Sequence, residues 1–164
     1  MRAGDLILVR GNDLLDRAIE RVEHSPYSHV AGYVGDGLII QAEGFRRTDY
    51  GALSFYGGQG VFTCPGLTDE QRRRIVAYVE AQVGTHYDYL CLAWELARYA
   101  LHLALPRWVE RERFLCSTLW ADAYLSAGVD LCPGVWFPSP ADLAQSPLLE
   151  QVGTVPDYPV WEEW

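Results

Sequence analysis

At 164 residues the chain is one domain's worth, long enough to bury a real core. A hydrophobic fraction of 49% with 21% charged residues is that of an ordinary globular protein. The formal charge of −9 argues against nucleic acid and anionic membrane surfaces as partners, because both reward an excess of Lys and Arg.

Met1 to Asp5 leads directly into the apolar run Leu6 to Val9 with no secretory leader, which predicts a cytoplasmic, reducing setting. The four cysteines, Cys64, Cys91, Cys116 and Cys132, are therefore expected as thiols. Their spacing contains no Cys-x-x-Cys pair and no zinc pattern. Nothing in the sequence asks for a metal or another cofactor.

Gly4 to Val9 reads as a strand. Asn12 can cap a helix with Leu14, Leu15, Ala18, Ile19 and Val22 at helical spacing, broken at His24-Ser25-Pro26. Two β-rich runs follow, Ser28 to Val34 and Leu38 to Ala42, joined by Gly35-Asp36-Gly37, a strong hairpin signal. The glycine at the third position favours a three-residue loop, which puts Ala31 opposite Gln41 and His29 opposite Glu43, so that His29, Gln41 and Glu43 share one face of the ribbon. A two-residue loop would put Gln41 and Glu43 on the other face, and a bulge would change the count.

The glycine- and tyrosine-rich stretch Thr48 to Gly60 reads as a surface connection, and Val61 to Cys64 as another strand. Thr68-Asp69-Glu70-Gln71 is a capping box opening a helix with Ile75, Val76 and Val79 inward and Gly84 as terminator. Arg46-Arg47 and Arg72 to Arg74 read as solvated faces. Leu90 to Leu105 is apolar nearly all round, yet its length and its Glu95, Arg98 and His102 argue against a transmembrane span. A buried helix is the simple reading; a lipid-contacting lid or a homodimer face is the other. The Pro- and Trp-rich tail from Cys132 is expected to run over the surface in extended segments.

Between these lies Phe114 to Gly128. Cys116, Leu119, Trp120, Ala123 and Ala127 recur on one face of a 3.6-period helix ended by Gly128. Cys116 falls in the first turn, where free N–H groups and the helix dipole favour a thiolate. Free cysteine is also among the most buried residue types, so position alone does not separate a nucleophile from a packed core residue. A nucleophilic cysteine needs a base, and the base needs a third group to fix its tautomer. A strand histidine with a polar neighbour on the next strand offers both. His24, His86 and His102 are less suited by their places in the chain.

Taken in order, Gly4-Asp5-Leu6-Ile7, Tyr27-Ser28-His29-Val30, Ile40-Gln41-Ala42, Gly84-x-x-Tyr87-Asp88, Leu115-Cys116-Ser117 and Phe137-Pro138-Ser139-Pro140 resemble the YiiX-like branch of the NlpC-type papain-like cysteine peptidases. This branch is circularly permuted, with His first and Cys last, as here. The resemblance implies one α+β domain spanning 1–164, a permuted papain-like fold with a small antiparallel sheet packed against the cysteine-bearing helix. It implies an amidase- or peptidase-type hydrolase with Cys116 as nucleophile, His29 as base and Gln41 as the orienting residue. The family usually carries Glu at the position of Gln41; Gln can still accept from imidazole, and Glu43 is the alternative third residue. Tyr87, Asp88 and Ser28 are candidates for pocket lining. Expected substrates are a small peptide, a cell-wall peptide or an acyl-lipid. A lipid acyltransferase or thioesterase of the same permuted fold, and a non-catalytic binding module, are the other readings.

Overall fold

The computed structural model describes residues 1–10, 25–42, 47–87, 113–114 and 116–157. Its strands are β1 (Leu6–Val9), β2 (His29–Gly35), β3 (Leu38–Ala42), β4 (Thr48–Ala52), β5 (Gly60–Thr63), β6 (His86–Tyr87), β7 (Arg113–Phe114) and β8 (Glu150–Thr154). Its helices are α1 (Asp69–Ala81), α2 (Cys116–Ser126) and α3 (Pro140–Ala144). Six strands form one antiparallel sheet in the order β4-β3-β2-β1-β5-β8, and β6 pairs with β7 in a short parallel ribbon. The class is α+β. Among the described residues no helix is long and apolar enough to cross a membrane.

Strand alternation sends the side chains of the sheet to two sides. Leu6, Leu8, Val30 and Ile40 join Ile75 and Val79 of α1 and Leu119, Trp120 and Ala123 of α2 in the main core. Ile7, Ala31 and Ile39 form a second apolar layer on the opposite face with Leu53, Val61 and Val155. The residues expected on the buried face of this last helix are all buried: Cys116, Leu119, Trp120 and Ala123 on α2, and Ala127 in the turn just after it.

Two residues lock α2 onto the sheet. Trp120, fully buried, donates its indole N–H to the Ile40 carbonyl at 3.2 Å. Its ring lies on the backbone of β2 at Gly32, where any larger residue would collide with it. Tyr124 donates its hydroxyl to the Gly4 carbonyl at 2.6 Å.

The β2–β3 hairpin closes differently from expectation but arrives at the same pairing. Asp36 and Gly37, at φ 52° and 74°, form a two-residue turn, and the register shifts by one between Tyr33 and Gly35. The bulge supplies the extra residue that a three-residue loop would have supplied. Ala31 consequently faces Gln41.

Three expectations are corrected. Thr48 to Gly60 is not a plain surface connection: it contributes β4, which pairs along all of β3, and a 3-10 turn, Leu53–Tyr56. Arg72 is not on a solvated face. It is buried and donates to Asp5 Oδ1 at 2.9 Å and to the Ala3 carbonyl at 2.9 Å, while Thr63 donates to the same carboxylate oxygen at 2.7 Å. The tail after Cys132 is not simply extended. Ser139 and Asp142 cap α3 reciprocally, with Pro140 in its first turn, and β8 then adds to β5. The capping box at Thr68 and Gln71 is present as expected. The expected helix from Asn12, residue Glu43, residue Asp88 and the segment Leu90 to Leu105 lie outside the described residues.

Candidate active site

His29 is the first residue of β2, and Gln41 lies on β3 beside it. The register that pairs Ala31 with Gln41 puts both side chains on one face, twelve residues apart in sequence. His29 donates from Nε2 to Gln41 Oε1 at 2.8 Å. An amide oxygen only accepts, so this bond places a proton on Nε2 and leaves Nδ1 as the nitrogen for Cys116. Gln41 Oε1 also accepts from the hydroxyl of Tyr56, at the end of the 3-10 turn. Sequence reasoning missed Tyr56. It lies in a stretch with no periodic pattern, and only the folding of β4 back onto β3 brings it to Gln41.

Cys116 opens α2 and is buried. Burial pushes the thiol up, as it does for any group that must carry charge away from water. Here it is outweighed by the positive charge of His29, the hydrogen bond with the His29 side chain and the backbone N–H groups of Val30 and Ser117. The net effect holds the thiol below its ordinary value. Cys132 shows the contrary case. Burial, then the charges of Asp142 and Asp130, push its thiol up to about 11. Cys64, Cys116 and Cys132 are all free thiols, so their surroundings rather than their bonding state distinguish them.

The fold explains how Cys116 reaches His29 when α2 and the His29 side chain belong to opposite faces of the sheet. His29 stands at the end of its strand, and the β2–β3 ladder is paired only as far as Ala31 and Gln41. At that end the first turn of α2 meets the histidine and takes the Val30 N–H. Gly32, three residues on, sets how closely the helix lies against the strand.

Of the other expected site residues, Ser28 is buried next to His29, and its Oγ has no hydrogen-bond partner among the described residues. Tyr87 pairs in register with Phe114, so its backbone runs beside the chain entering α2. A cleft of about 310 Å³ opens on the Gln41 side, lined by Gln41, Arg47, Asp49, Tyr50, Gly51, Phe55 and Tyr56.

No family model and no curated protein matches this chain. Its fold is similar to that of the crystal structure of metalloprotein YiiX, a DUF1105 protein from Escherichia coli O157:H7. The TM-score is 0.70, with 19% identity, covering 93% of this chain and 97% of that one. The two share an architecture. Among the described residues of this chain, no group of three or more His, Cys, Asp or Glu is placed to hold a metal ion.

Proposed function

We propose that this chain is a cysteine hydrolase of the amidase or peptidase type, working through an acyl-enzyme on Cys116. The observation that carries the reading is the state of Cys116. It is buried, yet His29 and two backbone N–H groups hold its thiol below the ordinary value. A structural thiol packed in a core moves the other way, as Cys132 does. The order His29, Gln41, Cys116 and the likeness of the fold to YiiX support placing the chain in a YiiX-like, permuted papain-like family.

The chemistry follows from the two ring nitrogens. His29 takes the Cys116 proton at Nδ1, giving a thiolate beside an imidazolium whose Nε2–H is held by Gln41. The thiolate attacks the carbonyl carbon of a scissile amide, and a tetrahedral intermediate forms. His29 returns the Nδ1 proton to the leaving nitrogen, the C–N bond breaks, and the acyl group remains on sulfur as a thioester. Water then gives a proton to Nδ1 as it attacks the thioester, and the carboxylic product leaves with the thiol restored. Gln41 fixes the angle and tautomer of the ring throughout. Its neutral oxygen orients the imidazolium but adds no countercharge.

Brief labelling with iodoacetamide at pH 6, followed by peptide mapping, tests the reading. Cys116 is expected to react before Cys64, Cys91 and Cys132. Labelling of Cys116 no faster than Cys64 overturns the catalytic reading in favour of a binding module, which has no need of an activated thiol.

A further inference from the structure

A carboxylate and a carboxamide differ in one respect that matters beside an imidazole. Both ends of a carboxylate accept; only one end of an amide does. The family resemblance leads one to expect Glu at position 41, and this chain has Gln. If the amide turned over, its NH₂ would face His29 Nε2. That nitrogen would then have to accept, and the ring proton would move to Nδ1, the nitrogen that faces Cys116. A neutral ring protonated there cannot take the thiol proton, and an imidazolium would meet the NH₂ donor to donor.

The Tyr56 hydroxyl donates to Gln41 Oε1, the same atom that accepts from His29 Nε2. The carbonyl oxygen thus accepts from two donors. The other end, Gln41 Nε2, is directed to β4, where a Cβ on Gly51 would come within 3.7 Å of it. To turn over, the amide would have to bring both partners with it, the hydroxyl swinging to accept and the ring exchanging its proton. Tyr56 is itself held firmly. Its 3-10 turn begins at buried Leu53, whose N–H donates to the Gly37 carbonyl at 2.8 Å. The turn is closed by the bond from the Gln59 N–H to the Tyr56 carbonyl at 3.0 Å. Neighbouring Phe55 projects into solvent while Tyr56 packs on the second apolar layer.

We infer that Tyr56 is a positioning residue, whose hydroxyl fixes which end of the Gln41 amide faces His29 and so sustains the Cys116–His29 ion pair. The inference rests on the reading of Cys116 and His29 as that pair. Its consequence is specific to glutamine: with a carboxylate at position 41 there is no wrong end, and the hydroxyl ceases to matter.

The test is the pH dependence of Cys116 alkylation by iodoacetamide, read by peptide mapping, which needs no substrate. Tyr56→Phe is expected to raise the midpoint by about 0.5 to 1 pH unit, the worth of one orienting hydrogen bond. Gln41→Ala should raise it at least as far, and adding Tyr56→Phe to Gln41→Ala should change nothing more. In a Gln41→Glu background, Tyr56→Phe should leave the midpoint where Gln41→Glu alone puts it. An unmoved midpoint in Tyr56→Phe overturns the inference while leaving the proposed chemistry standing. So does a shift of equal size in the glutamine and glutamate backgrounds, which would mark Tyr56 as ordinary support for the turn. A wild-type Cys116 with the midpoint of an ordinary thiol removes the ion pair and the inference together.

Discussion

The ring of Trp120 lies so close to the backbone of Gly32 that a Cβ at that glycine would fall 2.2 Å from a ring carbon. No rearrangement of a fully buried indole clears that overlap without moving α2 or bending β2. Gly32→Ala is therefore expected to cost about 3 kcal/mol in urea unfolding, at the upper end of what overpacking does. Because α2 must shift to accept it, the same variant should lose the early alkylation of Cys116 even while folded. A variant of wild-type stability would mean that Trp120 has room to give.

His29 opposes the effect of burial on Cys116, so removing it should leave burial dominant. In His29→Gln the thiol is expected above its ordinary value, since the N–H groups of Val30 and Ser117 remain but the positive charge does not. The sign is clear: the wild-type thiolate persists as pH falls below the usual thiol range, and the variant's does not. Alkylation at pH 6 should fall at least about tenfold. Stopped-flow or quenched labelling across pH 5 to 9 measures it.

Turnover should follow the third residue. Gln41→Ala is expected to lower it by roughly 10- to 1000-fold, in keeping with losses of orienting residues elsewhere. Gln41→Glu should be tolerated, because a carboxylate accepts from Nε2 as well and adds countercharge to the imidazolium. Glu43→Gln should change little. A large loss for Glu43→Gln with a small one for Gln41→Ala would transfer the orienting role to Glu43. Rates on a panel of amide and thioester substrates decide it.

The Asp5–Arg72 pair is expected to be structural. Both side chains are nearly inaccessible, and among the described residues Arg72→Met leaves the Asp5 carboxylate with only the Thr63 hydroxyl and the Arg2 N–H. Removing one partner of a buried pair costs about 3 to 5 kcal/mol. Replacing both, in Asp5→Asn with Arg72→Met, should cost less than the sum of the two single variants. Denaturant midpoints give the comparison, and strict additivity would show that the pair is not coupled.

Legibility in the sequence tracked how local the cause was. The Thr68–Gln71 cap, the buried face of α2 and the pairing of Ala31 with Gln41 each depend on neighbours within a turn or a hairpin, and each could be read directly. The pairing came out right although the turn did not, because a bulge and a longer loop add the same single residue. What could not be read was set by contacts distant in sequence. Arg72 sits in a charged triplet that resembles solvated surface, and only the meeting of α1 with the β1 entry buries it against Asp5, 67 residues away. Tyr56 looks like one more tyrosine in a loop until β4 folds back. The strand β8 carries no apolar pattern because every residue of it is exposed at the sheet edge. Of the candidate site, the sequence suggested the histidine, the glutamine and the cysteine that the structure brings together, but not the tyrosine that touches the glutamine.

The separation of the site along the chain bears on when it comes into being. His29 and Gln41 belong to one hairpin, an element whose formation takes microseconds. Cys116 arrives with α2, whose docking is secured by a bond between residues eighty apart, Trp120 and Ile40. Contacts of that range close late, since the loop entropy must be overcome first. Until α2 docks, Cys116 has no base beside it. On the proposed reading, activation of Cys116 waits on that docking.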